Sequence, residues 1–334
     1  MTNHKKINFE EKIFVAGAYG MAGSAICRIL KSKGYGLKEF GGQILIPSRK
    51  ELDLSNYEST YNWFKTKKPT VVVVAAAKVG GILANKTYPY EFLIENLKIQ
   101  NNIIENAFNF EVKRLLFLGS SCIYPKLCSQ PIKEEYLMTG ELEKTNECYA
   151  IAKISGIKLC QSLRIQHNFD AISLMPTNLY GTNDNYHHTN SHVMASLLRK
   201  FCLAKKTSSK SVTCWGTGSP LREFMHVDDL AQAVVYVLEN WDPQDKNSPC
   251  DSSNLPLSYL NVGTGIEISI KGLSEIIAEE TGYEGDILWD STKPDGTPRK
   301  LLNIEKIKSL GWKPSISLRE GIRKTINEIF YELN

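Results

Sequence analysis

The sequence predicts an α/β fold in which helices cover both faces of a doubly wound parallel sheet. Two observations predict it: short apolar runs alternate with longer amphipathic stretches, and a glycine-rich loop follows the first apolar run. Continuously apolar strands are typical of parallel sheets that are buried on both faces and joined by right-handed crossovers. We expect strands at 13–16, 43–47, 70–74, 114–118 and 171–175, with long helices at 91–108 and 147–167.

After about residue 180 the pattern becomes less regular, which predicts a second, smaller α/β domain. Short strands are expected at 212–215 and 286–289, helices at 227–240 and 317–333, and an exposed loop rich in Pro, Ser, Asn and Asp at 241–257. We therefore expect a first domain at 1–180 with a returning segment at about 225–262, and a second domain at 181–334.

Composition excludes several classes of protein. A length of 334 residues fits two domains at roughly 150 residues each. The net charge of +4, from 40 basic and 36 acidic residues, does not favour nucleic-acid binding. No apolar run is long enough for a membrane span, and the polar N-terminus predicts no secretion signal. The eight cysteines form no C-x-x-C pair and no zinc pattern, which predicts reduced thiols in a cytosolic protein without a metal site.

The glycine-rich loop predicts a dinucleotide site. Gly17, Gly20 and Gly23 are spaced GxxGxxG between the first strand and the first helix, with Tyr19 and Met21 between them. Glycines allow a tight turn and a close approach of the backbone to a pyrophosphate, whose charge the helix N-terminus favours. Together with the strand pattern, this loop predicts a Rossmann fold.

The residues after the second strand favour NADP(H) over NAD(H). No acid stands there to hold the ribose 2′-hydroxyl of NAD, whereas Arg49 offers a cation for the 2′-phosphate of NADP. Asp53 is placed to meet the adenine amino group, although capping a turn is an equally simple role. The 1–180 domain is therefore expected to bind NADP(H), and the 181–334 domain to bind mainly substrate.

Three further side chains predict reductase chemistry. Tyr149 and Lys153 are four residues apart on a predicted helix, so their side chains share one face. An ammonium near the phenol favours the phenolate and would lower the tyrosine pKa from its usual value near 10. Ser120 follows the fourth strand, at the end where parallel sheets bind ligands, and can hydrogen-bond a substrate carbonyl.

At this point the sequence resembles the extended short-chain dehydrogenase/reductase family over nearly its whole length, and in particular members that act on GDP-linked 4-keto sugars. The segments that carry the resemblance are Ala75-Ala-Ala-Lys-Val-Gly-Gly81, Leu118-Gly-Ser-Ser-Cys-Ile-Tyr-Pro-Lys126, Tyr149-Ala-Ile-Ala-Lys153, Met175-Pro-Thr-Asn-Leu-Tyr-Gly181, Asn190-Ser-His192, Trp215-Gly-Thr-Gly-Ser-Pro-Leu-Arg-Glu-Phe224, His226-Val-Asp-Asp229 and Lys293-Pro-Asp-Gly-Thr-Pro-Arg-Lys300.

The resemblance implies two chemistries in one site. Cys122 and His192 would exchange protons at C3 and C5 of GDP-4-keto-6-deoxy-D-mannose. NADPH would then deliver hydride to C4 while Tyr149 donates the proton, supported by Ser120 and Lys153. From the residues alone, Cys122 would more simply be a small core side chain and His192 a polar surface residue.

The resemblance also implies binding residues. The cofactor would contact Leu54, Ala76, Lys153, Pro176, Asn178, Leu179 and His192, besides the glycine-loop residues, Arg49 and Asp53. The GDP-sugar would contact Ser121, Cys122, Asn178, Lys200, Trp215, Arg222 and Asp295, although Trp215 could instead be a core residue. Relatives pair their two long helices, so a homodimer through 91–108 and 147–167 is expected.

The sequence departs from the family pattern at two places, and alternative functions remain. Tyr19 stands where relatives often carry a basic residue, so a preference for NADP would depend more strongly on Arg49. Thr182-Asn183 replaces a Pro-His pair that is common in relatives. The alternative substrates are related GDP-4-keto sugars of the colitose or 6-deoxyheptose type. A 4-epimerase or 4,6-dehydratase of the same fold is a further alternative, and a dehydratase would carry an acidic pair where this chain has Cys122-Ile-Tyr-Pro125. A redox-sensing or scaffold protein that kept the fold would commonly have lost Tyr149 or Lys153.

Overall fold

A computed structural model describes residues 6–187, 191–293 and 295–332. Asn190 and Pro294, which belong to two of the motifs quoted above, lie outside the described residues, as does position 333 of the helix expected at 317–333.

The described residues contain strands and helices that alternate through most of the chain. The strands are β1 (Lys12–Ala16), β2 (Gln43–Leu45), β3 (Val71–Val74), β4 (Arg114–Leu118), β5 (Ala171–Pro176), β6 (Asn178–Tyr180), β7 (Ser211–Trp215), β8 (Leu221–His226), β9 (Tyr259–Val262), β10 (Glu267–Ser269), β11 (Asp286–Asp290) and β12 (Arg299–Lys300). The helices are α1 (Met21–Ser32), α2 (Tyr57–Lys67), α3 (Ile82–Thr87), α4 (Pro89–Asn109), α5 (Glu147–His167), α6 (Val193–Lys206), α7 (Val227–Asn240), α8 (Ile270–Thr281), α9 (Glu305–Ser309) and α10 (Leu318–Glu332).

The main layer is a six-stranded, wholly parallel sheet, which confirms the predicted fold class. Its strand order is β2-β1-β3-β4-β5-β9. Every residue of β3, β4 and β5 is buried, as the continuously apolar runs predict. Helix α1 packs against α7, and α4 packs against α2 and α5, so two helical layers enclose the sheet.

The predicted elements of the first half are confirmed with small shifts at their ends. Strand β2 ends at Leu45, two residues earlier than expected, because Pro47 has no N–H to donate to a ladder. The helix expected at 147–167 has those bounds, and the one expected at 91–108 begins at Pro89, a residue that suits the first turn of a helix.

Strands β7 and β11 confirm the short strands expected at 212–215 and 286–289, whereas β6, β8, β10 and β12 are not expected from the sequence. Strand β8 pairs with β6, β10 and β12, and β7 pairs with β11. Helices α6, α8 and α10 enclose a second apolar cluster that includes Phe201 and Ile277. Strand β9 lies in the segment at about 225–262 that is expected to return to the first domain, and it joins the first sheet beside β5. The domain division stays a prediction.

The exposed loop expected at 241–257 is confirmed for most of the segment, since no helix or strand forms there and 244–247 and 252–256 are exposed. Both ends of the loop are nevertheless buried. Trp241 is 1% exposed and its indole N–H donates to Ser248 Oγ at 2.9 Å, and Leu257 is 4% exposed. An abundance of Pro, Ser and Asn predicts turns, but it does not reveal that an aromatic side chain anchors them.

Candidate active site

The glycine loop joins β1 to α1 and lies against the end of β3. Gly17 has a φ of 84°, and a Cβ there would lie 2.7 Å from the amide nitrogen of Ala76. A Cβ on Gly23 would overlap the carbonyl of Gly17. Both positions therefore require glycine for the chain's own packing. At Gly20 a Cβ would meet only the Gly17 oxygen, at 3.5 Å, so Gly20 leaves space for another molecule to approach the N-terminus of α1.

The loop after β2 presents a cation, while its nearest acids are engaged locally. Arg49 is exposed. Glu51 accepts a hydrogen bond from the Ser48 N–H at 2.7 Å, and this contact lowers the pKa of its carboxyl. Asp53 accepts from the N–H and hydroxyl of Ser55 at 2.9 and 2.7 Å, so it does cap a turn. Its contact with adenine stays a prediction.

Other residues expected at the cofactor lie around the same edge of the sheet. Tyr19 is 66% exposed and donates to the Ile46 carbonyl at 3.3 Å, beside the segment that carries Arg49. The carbonyl of Leu54 accepts from Asn102 Nδ2 at 2.9 Å. Asn178 is held through its Nδ2, which donates to the Glu223 carbonyl at 2.8 Å. Pro176 ends β5, Leu179 follows in β6, and Met21 opens α1.

The structure brings Ser120, Tyr149 and Lys153 together. Ser120 follows β4, and its Oγ accepts from the Cys122 N–H at 3.2 Å while its side chain also hydrogen-bonds Tyr149. Lys153 is 3% exposed, and its Nζ donates to the Leu118 carbonyl at 2.8 Å. Helix α5 reaches this position because Gly156 lets it approach Phe117 of β4 closely.

The expectation that the ammonium group of Lys153 lowers the pKa of Tyr149 is wrong. The pKa of Tyr149 is raised, chiefly by burial and then by the neighbouring Cys122, with Ser120 opposing them. Burial lowers the pKa of Lys153 to about 7, so the lysine carries less than a full charge near neutrality. Its Nζ also lies 5.9 Å from the centroid of the Tyr149 ring. Desolvation therefore exceeds the Coulombic attraction that the spacing suggests.

Cys122 and His192 face a shared lysine. Cys122 is half-buried in the short helical turn after Ser120, and Lys300 Nζ donates to its Sγ at 3.5 Å. His192 is an exposed residue that precedes α6. Partial desolvation of the imidazole ring and then the charge of Lys300 lower the pKa of His192 below its usual value. Because Cys122 also raises the pKa of Tyr149, these side chains form one electrostatic cluster.

Lys300 is the functional candidate that sequence reasoning missed. It ends the last motif quoted for the resemblance, yet it lies 178 positions from Cys122 along the chain. The strand that carries it, β12, has only two residues and no periodic signal. Its place in a matched motif was the one available indication.

Three of the expected substrate residues, Lys200, Trp215 and Arg222, belong to a second, basic region. Trp215 is 53% exposed, so the alternative that it is a core residue is wrong. Lys200 Nζ and Lys293 Nζ each lie 5.7 Å from its ring centroid. The half-buried Arg222 has a lowered pKa because of desolvation, which Asp295 partly opposes. Cations beside an exposed indole suit a diphosphate attached to a flat base.

Two of the expected substrate residues have their own structural partners. Asp295 accepts from the N–H and Oγ1 of Thr217 at 2.7 and 2.8 Å, which ties the 295–298 segment to the turn after β7. Ser121 is 3% exposed. Contacts of these two residues with substrate stay predictions, since their positions are also explained by the fold.

The described residues hold neither a metal-ligand cluster nor a membrane helix. No group of three His, Cys, Asp or Glu side chains within them could hold a metal ion. None of the described helices is long and apolar enough to cross a bilayer. All eight cysteines are free thiols, as the spacing predicts, and the cytosolic location stays a prediction.

Comparison with known proteins agrees with this geometry. Residues 13–249 match the NAD dependent epimerase/dehydratase family. The chain belongs to this family. Within that family it is 52% identical over 314 residues to GDP-L-fucose synthase 1 of Arabidopsis thaliana, covering 94% of this chain and 91% of that one. It is 46% identical over 320 residues to the GDP-L-fucose synthase of Escherichia coli K12, covering 95% of each chain.

A solved structure has the same architecture. The GDP-mannoheptose C4 reductase of Campylobacter jejuni, determined with NADP bound, superposes with a TM-score of 0.84 at 36% identity. The match covers 98% of each chain. The chain is therefore similar both to GDP-L-fucose synthases and to a heptose reductase.

Proposed function

We propose that this protein is an epimerase-reductase that converts GDP-4-keto-6-deoxy-D-mannose to GDP-L-fucose with NADP(H). The observation that carries the proposal is the position of Cys122 in the turn after β4, where its N–H donates to Ser120 Oγ at 3.2 Å, in a chain 46% identical to a named GDP-L-fucose synthase. A plain C4 reductase needs a proton donor for the carbonyl oxygen, whereas epimerisation also needs groups that exchange protons at carbon. A thiol and an imidazole can both do so near neutral pH.

The residues present fit NADP(H). The glycine loop has the close approach to Ala76 and the uncrowded Gly20 that a pyrophosphate site requires. Arg49 would meet the 2′-phosphate, since Glu51 is engaged with Ser48. Asp53, Leu54, Ala76, Pro176, Asn178 and Leu179 would complete the site, and Lys153 would hold the nicotinamide ribose. When bound, NADPH supplies the hydride for C4.

In the reductive step Tyr149 would donate a proton to the C4 oxygen. Its raised pKa keeps the phenol protonated at neutral pH, which is the form a proton donor needs. Ser120 hydrogen-bonds Tyr149 and would share the carbonyl oxygen with it. The buried Lys153 would orient the cofactor ribose and return a proton toward Tyr149, since its pKa of about 7 allows either protonation state.

In the epimerisation steps Cys122 and His192 would move protons at the two carbons that flank the ketone. Removing such a proton turns the electron pair of the C–H bond into the C=C bond of an enolate and moves the carbonyl π pair onto the C4 oxygen, where Ser120 and Tyr149 can stabilise the charge. The lowered pKa of His192 keeps its imidazole neutral near pH 7, so that it can accept a proton. Either of the two residues can act as the base at either carbon.

The basic region around Trp215 would bind the GDP portion. Lys200 and Arg222 would pair with the diphosphate, and the exposed indole would pack on a flat group. The domain at 181–334 would thus hold the nucleotide sugar, and the domain at 1–180, with the segment at about 225–262, would hold the cofactor.

One experiment tests the function as a whole. The purified protein is mixed with GDP-4-keto-6-deoxy-D-mannose and NADPH in deuterium oxide, and nicotinamide absorbance and sugar NMR are followed together. We expect NADPH to be consumed and GDP-L-fucose to carry deuterium at C3 and C5. Consumption without deuterium would identify a plain 4-reductase. No turnover by a protein that still binds NADPH would favour a colitose- or 6-deoxyheptose-type substrate, as the heptose reductase of similar fold suggests.

Arg49 is expected to set the cofactor preference. Replacing Arg49 with Ala should weaken NADPH binding by about tenfold or more and leave NADH binding nearly unchanged, because only NADPH has the 2′-phosphate. Fluorescence titration with each nucleotide measures both affinities. Lys65→Ala, at an exposed position of α2, is the matched control for loss of one charge. Equal weakening of both nucleotides by Arg49→Ala would contradict the assignment.

We also propose that the protein is a homodimer formed through α4 and α5. These helices pack side by side, and their exposed apolar side chains include Tyr90 at 72%, Ile151 at 41% and Ile165 at 86% exposure. Such residues on neighbouring helices favour burial against a second copy. Sedimentation equilibrium should give twice the chain mass of 37.6 kDa, and a mass of one chain at micromolar concentration would contradict the dimer.

A further inference from the structure

We propose that Lys300 is the electrostatic partner of Cys122, and that its ammonium group stabilises the thiolate of Cys122 during proton exchange at the sugar. The inference deepens the proposed function and rests on it for the identity of the substrate. The geometry behind it is independent of that identity. Lys300 acts through Cys122, so it is a positioning residue for the reaction.

The backbone around Lys300 is fixed on both sides. Strand β12 pairs with β8, and Lys300 lies in register with Arg222. Before it, the Pro298 carbonyl accepts from the Leu221 N–H at 2.9 Å. After it, the Leu301 N–H donates to Gln130 Oε1 at 2.8 Å and the Leu302 N–H donates to the buried carboxylate of Glu223 at 3.0 Å. A two-residue strand held in this way presents its side chain at a defined place.

The charge of Lys300 is directed at sulfur and has no acidic partner. Within the described part of the chain no carboxylate lies within ion-pair distance of Lys300, whereas Nζ lies 3.5 Å from Cys122 Sγ. Its neighbour Arg299 differs, since it forms an ion pair with Glu267 at 2.8 Å. A half-buried ammonium without a counterion costs free energy. Ionisation of Cys122 would supply that counterion.

Lys300 can stabilise the Cys122 thiolate whether Cys122 accepts the proton or donates it. If Cys122 acts as the base, its thiolate takes the proton from carbon and the S–H bond forms. The C–H electron pair then forms the C=C bond of the enolate, and the carbonyl π pair moves to the C4 oxygen. If it acts as the acid, the S–H bond breaks, the proton goes to carbon and the thiolate remains. A thiolate therefore exists on one side of every transfer, and Lys300 keeps its own protons throughout.

The effect of Lys300 on His192 supports the same conclusion. Cys122 and Lys300 line one pocket together with three other charged residues, Lys126, Glu143 and Arg299. Each of these three is already in an ion pair, Lys126 with Glu143 and Arg299 with Glu267. The charge of Lys300 contributes to the lowered pKa of His192 and so favours a neutral imidazole. The same ammonium group therefore acts on the imidazole of His192 and lies 3.5 Å from the sulfur of Cys122.

The first test measures the reactivity of Cys122 without any substrate. The rate of alkylation by iodoacetamide at pH 7 is followed by mass spectrometry of the peptide that contains Cys122. We expect Lys300→Met to slow this reaction by about tenfold, because only the thiolate is nucleophilic, and Lys300→Arg to restore most of the rate. Cys250, half-buried and far along the chain, serves as the internal reference. Lys313→Met, at an exposed position, controls for loss of one charge.

The second test separates exchange from reduction. Deuterium incorporation at C3 and C5 is measured in the presence of NADP⁺, so that reduction cannot follow. We expect Lys300→Met to lower exchange by about tenfold and Lys300→Arg to recover it. Unchanged alkylation of Cys122 in a folded Lys300→Met protein would overturn the proposal. If the wild-type protein shows no exchange with this sugar, the proposed substrate is wrong, and the alkylation rates still decide the role of Lys300.

Discussion

Tyr149→Phe should abolish reduction and leave proton exchange at the sugar nearly intact. The phenol hydroxyl is the group placed to protonate the C4 oxygen, and removing it should lower the rate of NADPH oxidation by about 10²–10⁴-fold. Cys122 and His192 remain, so deuterium from the solvent should still enter C3 and C5. Enolate formation would slow modestly, since Ser120 alone would stabilise the developing charge.

The measurement combines nicotinamide absorbance with NMR of the sugar in deuterium oxide. Tyr136→Phe, in the short helical turn at 134–136, is the matched control and should keep both activities. Circular dichroism and NADPH titration of Tyr149→Phe verify that the fold and the cofactor site survive. Equal loss of exchange and reduction in such a folded variant would show that the two chemistries are not divided between these residues.

The second large effect is expected for Cys122→Ser. A serine hydroxyl is far less acidic than a thiol, so it cannot exchange a proton with carbon near neutral pH. Deuterium incorporation at C3 and C5 should therefore fall by about 10²–10⁴-fold. The fold should be unaffected, because Cys122 is half-buried and its backbone N–H still donates to Ser120 Oγ.

Cys128→Ser provides the matched control for this prediction. Cys128 lies in the same segment and is also half-buried, and burial raises the pKa of its thiol, so it is poorly suited to proton exchange. Its replacement should leave exchange and reduction unchanged. Exchange retained at either carbon by Cys122→Ser would remove Cys122 from the reaction at that carbon and leave His192 with both proton transfers there.

These two variants also distinguish a plain GDP-4-keto-sugar reductase from an epimerase-reductase. A GDP-4-keto-sugar reductase without epimerase activity would lose turnover on replacement of Tyr149 and would be insensitive to replacement of Cys122. An epimerase-reductase would be sensitive to both, at different steps. The pair of variants therefore reports whether the similarity to GDP-L-fucose synthases extends to the chemistry as well as to the fold.

The sequence alone determined the parallel sheet, the glycine loop and the shared face of Tyr149 and Lys153. Each depends on local patterns: the apolar run of β3, the spacing from Gly17 to Gly23 and the four-residue interval on α5. Such patterns fix backbone conformation and burial within a few residues, so they can be read without knowing what packs nearby.

Only the tertiary structure decided the electrostatics of the site. The Tyr149 pKa is raised because burial exceeds the attraction to a lysine that is itself desolvated, and the four-residue spacing does not contain that balance. Lys300 meets Cys122 across 178 positions of sequence, through a two-residue strand held by Glu223 and Gln130. Desolvation and long-range approach depend on everything packed around a group, and for that reason the chemistry of this site was fixed by the fold.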